Sequence, residues 1–199
     1  DALRGITMLM VVIGHIEIFS FGEGIFLYTS IYKYIQMPLF FFISGYIAYN
    51  AKKVWDTHTF LEESKKKIRL LLIPALCLGF LFTYWIAQLD FVSFILDASK
   101  QGYWFTIALL NMFIVYYLAN WLLNKANKAN NEKASWVVMM GYLFIIYSIK
   151  IASTFSPTVN TIMNITCFYY LPFYFPHFLF GIIATKYNSK FEKAIDNPY

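Results

Sequence analysis

Charged side chains are what this sequence has least of. Asp, Glu, Lys and Arg make up 14% of its 199 residues, where a soluble domain carries about 25%. A water-facing shell of ordinary density cannot be built from so few, which excludes a typical soluble globular fold. Cysteine is nearly missing as well. Cys77 and Cys167 stand alone in apolar runs with no CxxC between them, so neither a disulfide framework nor a metal site is supported. Both thiols read as buried bystanders, and no metal is expected. No cleavable signal is evident in these residues either: Arg4 enters an apolar run, but no small-residue cleavage site follows and further apolar runs come after it. The chain opens on Asp1 rather than Met, so an internal start is expected.

What is present in excess is apolar and aromatic. Hydrophobic residues reach 59% and aromatic ones 21%, with a mean hydropathy of +0.54. Several runs approach the ~20 residues that a helix needs to cross a bilayer. The expected fold is therefore all-α, a polytopic transmembrane helix bundle of about six spans. Hydropathy and charge breaks place them at 3–21, 34–51, 68–89, 103–123, 134–153 and 168–187. Two connectors are plainly polar, AKKVWDTHTFLEESKKK and NKANKANNEK.

Orientation follows from the cations. With a cytoplasmic N-terminus, Arg4, Lys52, Lys53, Lys65, Lys66, Lys67, Arg69, Lys125, Lys128, Lys133, Lys186, Lys190 and Lys193 lie inside, while Lys33, Lys100 and Lys150 lie outside. That asymmetry predicts both ends of the chain in the cytoplasm. It also explains the net charge of +5 as a signature of insertion, so the expected partner is the lipid bilayer and not nucleic acid. One weak internal echo joins MPLFFFISGYIAYN to FPHFLFGIIATKYN, each with Pro, aromatics and then Gly. The spacing differs, and no inverted repeat follows from it.

The opening run, DALRGITMLMVVIGHIEIF, keeps an arginine and a histidine eleven residues apart. On a helix, His15 lies ~16 Å beyond Arg4, and the two return to nearly the same azimuth. One face then presents a cation at the inner rim and an imidazole near the midplane, while Glu17 points about 200° away from His15. An intramembrane ionisable group is a candidate functional site. Neutral imidazole suits general-base work, and a guanidinium fork suits phosphate oxygens. The plainer alternatives are a snorkelling boundary charge for Arg4 and an interhelical hydrogen bond for His15. Asn111 is placed to bond a bundle partner, and His177 reads as an interfacial histidine.

In order along the chain, DALRGITMLMVVIGH, MPLFFFISGYI, KKKIRLLLIP and GYWFTIALL resemble the successive motifs of acyltransferase family 3, the polytopic enzymes that acylate sugars and glycans. The resemblance covers essentially the whole of 1–199 as one membrane-embedded acyltransferase domain. It implies an acyl-CoA co-substrate, commonly acetyl-CoA, with no bound cofactor, and a hydroxyl of a sugar, lipid-linked sugar or cell-surface polysaccharide as acceptor. The expected setting is the bacterial inner membrane. By motif, His15 becomes the catalytic histidine, Arg4 and Arg69 donor-binding or structural arginines, and Ser44, Gly45 and Trp104 motif residues. Ser44 and Gly45 equally suit close helix packing, Arg69 a boundary cation, and Trp104 an aromatic-belt anchor.

Gln36 stands where many relatives have His. The family has about ten helical spans, so six imply truncation on the C-terminal side. Three rivals stay open: a glycan or small-molecule transporter or flippase, an N-acetyltransferase of amino sugars, and a catalytically dead remnant.

Overall fold

The computed structural model describes residues 2–20, 27–50, 52–129 and 131–188; of these, the side chains of 2–4, 8, 15, 17–20 and 27–33 fall outside the described set. Among the described residues every regular element is helical: α1 (Ala2–Ser20), α2 (Leu27–Ala48), α3 (Thr57–Lys67), α4 (Ile73–Trp85), α5 (Phe91–Leu96), α6 (Trp104–Lys125), α7 (Glu132–Phe155), α8 (Pro157–Ile165) and α9 (Leu171–Lys186). The chain divides into two compact units, Asp1–Ala51 with Tyr174–Tyr199, and Lys52–Phe173.

In the first unit α1 packs on α2. Thr7, Val11 and Gly14 form the buried stripe of α1, while Ile6, Leu9, Val12, Ile13 and Ile16 are exposed. The part of α9 from Tyr174 onward runs parallel to α2. Phe41 meets Tyr174, with ring centroids 5.0 Å apart, and further along Thr185 Oγ1 donates to the Tyr46 carbonyl at 2.6 Å. Residue numbers rise together along both helices, as two spans crossing in one direction require.

The second unit is built around α6. Its residues Ile107–Leu110, Met112, Phe113, Tyr116, Tyr117, Ala119 and Leu123 are buried, which fits a helix apolar on all sides. Trp55 lies against Tyr117, with centroids 4.7 Å apart. The Asp56 carboxylate then accepts the Thr59 N–H at 2.7 Å and starts α3. α3 runs into α4 through a wide π turn, Ile68–Leu72, in which the Ile73 N–H reaches back to the Ile68 carbonyl. The cause is Pro74, which has no N–H to donate and whose ring would press on the carbonyl four residues earlier. α7 packs along α6 and leaves Phe144, Ile145, Ile151 and Phe155 exposed, the apolar face suited to lipid.

The expectation of six spans is corrected. Among the described residues, three helices are long and apolar enough to cross a membrane: Thr57–Trp85, Trp104–Lys125 and Glu132–Phe155. A fourth arises if Pro157–Ile165 and Phe168–Lys186, bent by 95° at their break, count as one. Among the described residues upstream, shorter apolar helical stretches are Gly5–Gly14 in α1 and Tyr34–Ala48 in α2. Two boundaries also move. The expected third span begins eleven residues earlier, because the polar connector is itself helix from Thr57. The expected sixth span is the second half of a broken pair.

Candidate functional site

Helix α1 is unbroken from Ala2 to Ser20, so positions 4 and 15 differ by only about 20° in azimuth. Position 11 lies about 20° to one side of position 4 and position 15 about 20° to the other, and Val11 is buried together with Thr7 and Gly14. Arg4 and His15 thus occupy register positions on the buried side of α1. Their side chains, like that of Glu17, lie outside the described residues. On α2, Gln36 Oε1 is buried without a hydrogen-bond partner among the described residues. A buried acceptor of this kind is uncommon. In sequence Gln36 stands out only as a departure from the family motif.

The second-helix motif has a direct structural reason. Ser44 Oγ donates to the Phe40 carbonyl at 2.8 Å, a bond within its own helix. A β-carbon on Gly45 would overlap the Phe178 carbonyl, and one on Gly181 would overlap the Phe42 carbonyl. The two backbones are therefore in contact at glycines from both helices, the small-residue packing that membrane helices use. The echo between MPLFFFISGYIAYN and FPHFLFGIIATKYN acquires a physical meaning here, since its two glycines form the crossing.

Arg69 and Trp104 belong to the second unit. Arg69 is exposed, within the π turn. Lys67, just before it, lies over the Phe113 ring with its ammonium 3.8 Å from the centroid. Phe113 is nine residues along α6 from Trp104, about 14 Å at helical rise. Trp104 stacks on Tyr170, with centroids 4.0 Å apart. Tyr170 meets Tyr169 edge-on at 5.4 Å, and Lys150 Nζ sits 3.4 Å from the centroid of Tyr169. Such a cation–π contact contributes about 0.5–2 kcal/mol, depending on desolvation. Orientation alone placed Lys150 among the outer charges; its partner is nineteen residues away in sequence.

Lys100 has surroundings that the charge count does not show. Expected on the outer side, it is 1% exposed. Its ammonium donates to the carbonyls of Ile95 (2.7 Å), Asp97 (2.6 Å) and Asn164 (3.0 Å). Those carbonyls lie at or near the ends of α5 and α8, where backbone acceptors are left over. Burial holds the Lys100 ammonium below its ordinary pKa, against the opposing pull of Cys167 and Asp97. Asn111 has the bundle partner expected of it, donating to the Thr166 carbonyl at 2.7 Å. Lys100 and Asn111 together pin the break between α8 and α9, where Cys167 is left-handed with φ 55°. Of the two cysteines, Cys167 is buried as expected, whereas Cys77 is exposed on α4. That position lies on the side of α4 opposite the buried Ala75 and Gly79 and suits a thiol in lipid. His177 is exposed, with its ring 6.5 Å from that of Tyr174.

Long apolar helices in an all-helical chain define an integral membrane protein. A family model described as an acyltransferase domain matches residues 1–195. The chain therefore belongs to acyltransferase family 3. Comparison with curated proteins and with solved structures finds no match.

Proposed function

We propose that this protein is an O-acyltransferase that moves an acyl group, in the first instance acetyl, from acyl-CoA to a hydroxyl of a sugar or cell-surface polysaccharide. It would do so in a bacterial inner membrane, with both ends of the chain cytoplasmic. His15 takes the proton of the acceptor hydroxyl as that oxygen attacks the thioester carbonyl. The C–S bond breaks, an ester forms, and the imidazolium returns the proton to the CoA thiolate. Arg4 holds phosphate of CoA at the cytoplasmic mouth, and Arg69 is a further donor-binding or structural candidate by its motif. The observation that carries this reading is the register of positions 4 and 15 on the buried side of one unbroken helix, in a chain of acyltransferase family.

The broken pair α8/α9 is the feature a transporter would use for its substrate. Here carbonyls at that break already accept from Lys100 and Asn111, which favours a fixed corner over an ion site. The test is His15→Ala in the full-length gene. Acylation of the host glycan should fall by about 10²–10⁴ at normal protein level. Unchanged acylation would sink the proposal.

A further inference from the structure

We infer that Lys150, Tyr169 and the Trp104–Tyr170 pair form a binding site for an anionic sugar, a ring bearing a carboxylate or a phosphate. Lys150 is the least expected member. It lies in the span Glu132–Phe155, one turn from buried Ile146 on one side and from buried Ser153 on the other. That places it on the inward stripe of α7 rather than on the exposed stripe of Phe144, Ile151 and Phe155. A lysine kept only for topology would extend toward water from the outer face. This one instead lays its ammonium on the face of Tyr169, 3.4 Å from the centroid.

Among the described residues no carboxylate pairs with Lys150, and no acceptor takes its N–H groups. A cation within a membrane helix is retained at a cost, ordinarily against a partner. The ring quadrupole covers one side of the ammonium and leaves its donors for an anion. Beside it lies a surface suited to a sugar. Tyr169 adjoins Tyr170, Tyr170 stacks on Trp104, and all three are only half-buried. Aromatic faces receive the C–H side of a pyranose, while the ammonium fixes an acidic substituent.

Position separates this site from the acyl donor. Lys150 is five residues from the end of α7, and Trp104 opens α6. The basic turn of Lys125, Lys128 and Lys133 lies at the opposite ends of both helices. On the acyl-transfer reading CoA arrives from the cytoplasmic side, to which the charge asymmetry assigns that basic end, which leaves the Lys150 end to the acceptor. The role as acceptor site rests on the acyl-transfer reading, whereas the binding itself does not.

The experiment uses the full-length protein in phosphatidylcholine nanodiscs, without acyl-CoA, titrated at constant ionic strength with glucose, glucuronic acid and glucose 1-phosphate. Both charged sugars should bind about tenfold more tightly than glucose. Lys150→Gln should bring all three within about twofold of one another, and Lys150→Arg should keep most of the preference. Trp104→Leu should weaken all three alike. Equal binding of neutral and charged sugars, no binding of any, or a preference surviving in Lys150→Gln overturns the inference. So does loss of the preference when phosphatidylglycerol replaces half the lipid, because the anion held is then a headgroup. His15→Ala should leave the sugar preference untouched. An unchanged preference beside wild-type acylation in that variant removes the proposed chemistry and not this site.

Discussion

Where α2 crosses α9, glycines bring two backbones into contact, and the side-chain bond from Thr185 to the Tyr46 carbonyl lies one turn away. Where α8 breaks toward α9, carbonyls are turned loose and a lysine and an asparagine gather them. Both solutions answer the same solvent. Lipid tails are as apolar as leucine, so burial of greasy surface hardly distinguishes one helix contact from another. What remains is close fit at one place and complete hydrogen bonding at the other. The first region therefore tolerates no added volume, and the second tolerates no lost donor.

The sharpest way to break this contrast is to add atoms at the crossing. Gly45→Val should be the most damaging change, because its β-carbon meets a backbone carbonyl that cannot swing aside. A loss of about 3 kcal/mol or more is expected, read as a fall in thermal midpoint of the protein in detergent. An unchanged midpoint would mean that the helices separate freely at that point. Removing a donor comes next. Lys100→Met leaves three carbonyls without their partner and should destabilise by about 2 kcal/mol, less than three full bonds because the buried ammonium is itself desolvated. Hydrogen exchange should quicken at 164–170 and stay as before in α2. Equal loosening of both regions would erase the distinction drawn between them.

The smallest effect is one of pH. Hydrogen bonds from Thr59 hold the Asp56 carboxyl below its ordinary pKa, and bonds from Ser93 do the same for Asp90. A carboxylate depressed in the folded state adds stability above its unfolded pKa of about 4. That stability is lost as pH falls through the lower folded value. Both caps lie in the second unit, so acid should fray the starts of α3 and α5 first. Asp56→Asn together with Asp90→Asn should flatten the acid limb of an unfolding curve, and a wild-type limb in that variant would count against the caps.

Some of this was legible in the residues. α6 was placed almost to its ends, since no charge interrupts it before Lys125. Asn111 was expected to bond across the bundle and does. The broken span was missed. Ser156 caps a new helix by accepting the Val159 N–H, and Cys167 turns left-handed, and neither event leaves a mark in hydropathy. Lys100 was read by the charge rule alone, which counts cations without asking what lies beside them.

The sequence by itself determined the helical, membrane-embedded character of the chain, the order of its family motifs, and the register of positions 4 and 15 along one helix. Those are local properties, set by composition and by a period of 3.6 residues per turn. Only the tertiary structure decided that Gly45 lies on Phe178, that Lys100 is buried against Asn164, and that Lys150 covers Tyr169. Each of those partners lies 19 to 133 residues away along the chain. A contact of that kind depends on how helices pack, which no single helix encodes.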